Sequence, residues 1–193
     1  MTKLTAPPET LSQVGRAAHD LGLAGMLGGT LFGRMALHPA VTSISDPRER
    51  GEVVNVAWRR YGLVNSIGLG AVTAGWAGAR AAEAADRNLS AQERRLARAK
   101  DGLVATVFVC GVASAVEGMR FSRQAPGGAV PLVDGSHPAP DTPEPAARLK
   151  RRLNALGALT MAAEVGLVAV NAALAQAGFR RPPMRRRLRP LTR

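Results

Sequence analysis

The feature that most constrains this chain lies near its C-terminus, where the 27 residues from Leu153 to Phe179 carry one charge, Glu164. About 20 apolar residues, at a rise of 1.5 Å each, cross the hydrocarbon core of a bilayer. A soluble domain of 193 residues would have to cover such a helix on every side, which takes a larger core than this chain can supply. Large core fillers are also scarce: only seven residues are aromatic (Trp58, Trp76, Tyr61 and four Phe), and the apolar mass is Ala, Leu, Val and Gly. The membrane reading follows from the two observations together.

Three more apolar segments appear once charged residues are used as fences. The first runs from Ala17 to Ala36 with a charge-free centre from Leu21 to Gly33; the second, Tyr61 to Ala79, has 19 uncharged residues; the third, Gly102 to Val116, has 15. On length the second and fourth qualify as spans, and the first and third do so only if Arg34, Lys100 and Arg120 snorkel to the interface. The predicted fold is all-α, a four-helix transmembrane bundle with spans near 17–36, 61–79, 102–118 and 153–178. Residues 1–13 form a flexible N-terminal tail, 14–181 the membrane domain and 182–193 an Arg-rich C-terminal tail. No removable signal peptide is evident.

Local signals extend two of the helices beyond the bilayer. Asp46 before Pro47 reads as an N-cap followed by proline at the first helical position, so helix two starts well before its span. Ser90 and Glu93 have capping-box spacing, which starts helix three near Ala91. The segment 124–146 holds six prolines, three glycines and no apolar periodicity, and is expected to be a flexible loop.

Small residues four apart let helices approach closely in lipid, where hydrophobicity cannot drive them together. Such series are Gly25, Gly29 and Gly33 in the first segment and Gly62, Ser66, Gly70, Ala74 and Gly78 in the second. These are the predicted helix-packing residues.

The formal charge is +12, from 26 Lys and Arg against 14 Asp and Glu. The N-terminal tail, the 80–100 connector and the tail after Phe179 hold 15 of the basic residues and the other two connectors 11. That bias puts both termini in the cytoplasm of a multi-pass cell-membrane protein. Arg185, Arg186, Arg187 and Arg189 of the tail are the predicted contacts to anionic lipid, each worth about 1 kcal/mol near such a surface.

The residue best placed for chemistry is Glu164, near mid-bilayer, where a charge costs about 2.5–3.5 kcal/mol on insertion scales. It must be protonated, paired or in a wet cavity, with Thr30, Asn65, Ser66, Thr73 and Ser114 as candidate neighbours. His19 and Asp20, near the inner end of the first segment, could form a relay pair or meet Asn171 on the fourth. A two-His haem site would need histidines at matched depth on different helices, and His19, His38 and His137 are not so placed. No metal-ligand cluster, phosphate loop or serine–histidine–acid pattern appears, Cys110 reads as a packing residue, and no cofactor is expected.

In style over its whole length the chain resembles the small four-span membrane proteins of high-GC bacteria, with Ala/Gly-rich helices and an Arg-rich tail; the resemblance implies no activity. Function is expected to be that of a non-enzymatic scaffold or accessory subunit, meeting a second copy or another membrane protein. The alternatives are a small proton- or cation-coupled transporter using Glu164, and a soluble basic helical protein binding nucleic acid, the reading least compatible with the fourth segment.

Overall fold

A computed structural model of the chain describes residues 8–82 and 84–179. Four long helices make up the fold: α1 (Pro8–Phe32), α2 (Pro47–Ala81), α3 (Ala91–Ser122) and α4 (Glu144–Phe179). The starts of α2 and α3 follow the local signals. The Asp46 side chain accepts from the Arg48 N–H at 2.9 Å with Pro47 in the first turn. Ser90 Oγ accepts from the Glu93 N–H at 3.3 Å while Glu93 Oε2 accepts from the Ser90 N–H at 2.8 Å. After Phe32 the chain widens into a π-helical turn over Gly33–Leu37. Pro39 has no N–H to offer the Met35 carbonyl, and the His38 N–H bonds to the Gly33 carbonyl instead.

With 35, 32 and 36 residues, α2, α3 and α4 measure about 48–54 Å at 1.5 Å per residue, well beyond a hydrocarbon core of about 30 Å. The extension of α2 and α3 was expected. That of α4, which begins at Glu144 rather than near Leu153, adds about two and a half turns ahead of the apolar run.

The helices pack as two close pairs, α1 on α2 and α3 on α4, with sparser contact between α2 and α3 and between α1 and α4. Glycine sets the first pair. A Cβ on Gly22 would lie 2.9 Å from the Gly68 carbonyl oxygen and one on Gly75 2.7 Å from that of Gly15, so the two backbones touch there. Gly29 and Gly33 seat the rings of Tyr61 and Trp58, and Gly25 faces Val64 at 3.9 Å. The series on α2 lies elsewhere: Gly62, Gly70 and Gly78 meet nothing within 4 Å, and Ser66 and Ala74 are exposed. Within the chain, the opposite face of α2 forms the seam.

Two hydrophobic clusters result. One, around Leu23, Met26, Val72, Val107 and Leu167, fills the bundle. The other, around Val41, Val54, Phe121, Val130, Leu132 and Ala146, lies beneath the Pro-rich segment. That segment departs from its expected flexibility. Val130 and Leu132 are buried, the Leu132 N–H donates to the Pro47 carbonyl at 3.0 Å, and the Gly135 N–H donates to that of His38 at 3.0 Å. Gly51 makes room, since a Cβ there would sit on the Val130 carbonyl oxygen. The segment is a folded cap on one end of the bundle.

Among the described residues two helices, Ala91–Ser122 and Glu144–Gly178, are long and apolar enough to cross a membrane, and only 22% of the most apolar stretch of each is buried. The core helix of a soluble protein would be mostly covered. Large apolar side chains face outward on all four helices, including Leu21 and Phe32 on α1 with Met35 in the π turn that follows it, Leu63 and Ile67 on α2, Phe108 and Val109 on α3, and Val165 and Val168 on α4.

Candidate functional site

At the centre of the bundle Glu164 is 0% exposed, and neither carboxylate oxygen has a hydrogen-bond partner among the described residues. The neighbours expected from depth do not supply one. Ser66 and Thr73 donate back to the Gly62 and Leu69 carbonyls of their own helix. Thr160, one turn before Glu164, likewise donates to Leu156 at 2.9 Å. Asn65, Thr30 and Ser114 do not bond to the carboxyl either. The nearby group that spacing did not single out is Tyr61, close enough to Glu164 to act on it electrostatically. Its hydroxyl donates to the Gly25 and Met26 carbonyls at 2.8 and 3.0 Å, fixing the ring against α1.

Toward the end of the bundle away from the cap, His19 is buried with Nδ1 2.8 Å from the Val72 carbonyl oxygen, so that nitrogen carries the proton. Its Nε2 has no partner. Asp20 is exposed and its Oδ1 accepts from Asn171 Nδ2 at 3.2 Å, the cross-helix contact anticipated from depth. Asn171 Oδ1 is buried without a partner.

Two basic residues expected to snorkel do otherwise. Lys100 is buried with its Nζ 4.2 Å from the centroid of the Trp76 ring, where ring quadrupole and ammonium attract. Asp101 closes this corner, accepting from Trp76 Nε1 at 2.8 Å and from Arg80 Nε at 3.1 Å. Arg34 reaches across the bundle to donate to the Asn154 carbonyl at 2.7 Å, its guanidinium lying on Gly157. The Asn154 carbonyl and the side-chain-free Gly157, both on α4, give the guanidinium a berth that an aqueous interface would otherwise provide. The Lys100–Asp101 corner was legible only as a charged pair fencing an apolar run; Trp76 and Arg80, one turn apart on α2, were the unread signal.

At the cap end, His38 links three elements. Trp58 Nε1, which can only donate, lies 3.0 Å from His38 Nε2, so the proton sits on Nδ1 and is given to Ser136 Oγ at 2.9 Å. In this tautomer His38 cannot take a proton from Ser136, which removes the pair as a nucleophile–base couple. Burial, then Lys150, then Arg34 push the His38 pKa down from its ordinary 6.5 to about 4, against a smaller opposing effect of Asp134.

Cys110 is buried and free, and among the described residues no group of three His, Cys, Asp or Glu side chains could hold a metal ion. Arg185, Arg186, Arg187 and Arg189 lie outside the described residues. The chain matches no known family, no curated protein and no solved structure.

Proposed function

We propose that the chain is a non-enzymatic integral membrane protein of four spans, with both termini in the cytoplasm, acting as a scaffold or accessory subunit. The observation that carries this reading is the apolar outer surface shared by all four helices, with Leu63 68% and Met35 76% exposed. In water so large an apolar belt would drive association, whereas in lipid it costs nothing. α1 and α2 lack an equally apolar stretch because His19 and Asp20 interrupt α1 while Gly, Asn65 and Ser66 dilute α2. Their outward Leu, Ile, Met and Phe side chains nevertheless support placing them in the same slab.

The outward small-residue face of α2 supports the scaffold reading, because it offers a flat track for another transmembrane helix. Basic residues at the end opposite the cap supply anionic-lipid contacts. Alkaline carbonate extraction tests insertion: the protein stays in the membrane pellet, and release into the supernatant would return the soluble, nucleic-acid-binding alternative. Gly70→Leu then tests the scaffold, with loss of a co-purifying oligomer or partner in mild detergent as the expected result.

A second reading, a small proton- or cation-coupled transporter, is favoured by one specific observation, the Glu164 carboxyl without a protein partner at the bundle centre. Under it, Glu164→Gln abolishes a pH-dependent flux in proteoliposomes that Gly70→Leu spares.

A further inference from the structure

On α4, Gly157, Glu164 and Asn171 are spaced by seven residues and so share one stripe, two turns or about 10.5 Å between successive positions. Two contacts fix the direction of that stripe. Arg34, in the π turn that continues α1, lies on Gly157, and Asp20 of α1 bonds to Asn171. Glu164 falls midway between them and therefore faces the α1–α4 seam, one of the sparser seams of the bundle.

The seam differs on its two sides of Glu164. Toward the cap it is filled by the Arg34 guanidinium, backed by Lys150, which is close enough to act on it electrostatically. Toward the other end, the buried polar atoms of the seam without a partner among the described residues are Glu164 Oε1 and Oε2 and Asn171 Oδ1; on α1, His19 Nε2 is also unpartnered, on a ring held to α2 through Val72. Asp20 stands exposed at that mouth, with the buried Lys100 behind it on α3. The fifth such atom, Glu117 Oε2, lies outside the seam on α3, where the other oxygen of that carboxylate pairs with Arg120 at 3.3 Å.

We propose that Glu164 is a proton-binding site open to water along the α1–α4 seam from the His19, Asp20 and Asn171 end and closed toward the cap by Arg34. This rests on the transporter reading above and on the chain lying in a bilayer. A metal cation is a poor fit, since hard cations take several oxygen ligands and the seam offers one carboxylate at this depth. A proton needs only one oxygen. Hydronium gives up its proton to a carboxylate oxygen and leaves as water, and the unpartnered Asn171 carbonyl and His19 nitrogen are acceptors along the way. The Arg34 and Lys150 cations repel the same ion on the cap side.

The test uses the full chain in vesicles of phosphatidylethanolamine and phosphatidylglycerol, floated on a density gradient and followed by infrared spectroscopy. The carboxylic C=O band absent from Glu164→Gln identifies the group. On transfer to D2O that band shifts as the acid proton exchanges. Asn171→Leu slows the shift at least about tenfold, while Arg34→Leu, a second variant at the opposite end, leaves it unchanged. A band that does not exchange in the parent protein means a sealed site and overturns the proposal. Exchange governed by Arg34 and indifferent to Asn171 overturns the route. Failure to float is distinct from both, and removes the membrane reading together with the site.

Discussion

The cap and the centre of the bundle handle polar groups in opposite ways. In the cap the groups that join its elements are bonded. His38 is bonded through both ring nitrogens, Arg50 donates to the Ile44, Val133 and Ser45 carbonyls, and Asn154 donates to Ser136 while accepting from Arg34. Ten residues along α4 from Asn154, a carboxyl sits at 0% exposure with no hydrogen-bond partner among the described residues. Satisfied networks rigidify a structure, and unsatisfied buried groups weaken it. The contrast assigns fold to the cap and candidate chemistry to the centre.

The largest effect expected on this comparison comes from unseating the cap. Gly51→Leu puts carbon where the Val130 carbonyl oxygen lies, a clash that neither rigid backbone can absorb. Thermal unfolding in mild detergent should show a loss of about 3 kcal/mol. Leu132→Ala, at 0% exposure in the same cluster, should cost about the same through the cavity it leaves. If both variants melt with the parent, the cap is an appendage and the contrast collapses.

Acid provides the next test. Because His38 in the fold protonates near 4 rather than 6.5, the unfolded chain takes up the proton first as pH falls. The stabilising contribution is therefore complete above the ordinary value, declines as pH falls toward 4, and is level below that. Between about pH 7 and 5 the loss is about 2 kcal/mol. A protonated Nε2 also carries a hydrogen facing that of Trp58, so Trp58 fluorescence should change over the same window in a Trp76→Phe background. His38→Gln should flatten the stability profile in that range.

How far the sequence could be read depended on whether a local rule existed. Asp46 with Pro47 and Ser90 with Glu93 obey capping rules that involve only a few neighbouring residues, and the helices begin there. Similar depth offered the Asp20–Asn171 contact as one alternative beside a His19–Asp20 pair, and the contact is present. The cap escaped. Val130 and Leu132 are isolated apolar residues among prolines, and only the space above Gly51, eighty residues earlier in the chain, makes them core. The α1–α2 seam escaped for a different reason. On a helix this rich in Gly and Ala, small residues recur at four-residue spacing on more than one face, so Gly68 and Gly75 carry the contact while Gly62, Gly70 and Gly78 look outward. Spacing gives a stripe and leaves its facing open.

Gly70→Leu sharpens that last point with a small effect on the fold: with nothing within 4 Å, the substitution should shift unfolding by no more than about 0.5 kcal/mol. Any change in association under the same conditions then belongs to the outer face alone.

The most informative substitution is at Glu164. Were the carboxylate one half of a buried ion pair, Glu164→Gln would cost about 3–5 kcal/mol by stranding the other charge. No such partner bonds to it, so glutamine, nearly the same shape and also unbonded, should change stability by less than about 1 kcal/mol. Glu164→Leu goes further by removing two unsatisfied oxygens from an apolar surround, and should raise stability by about 1 kcal/mol or more. A carboxyl whose removal strengthens the fold is not there to hold it together, in contrast to His38, whose loss weakens the cap. If leucine instead destabilises by several kcal/mol, Glu164 has a bonded partner in the membrane, and the centre of the bundle joins the cap as structure.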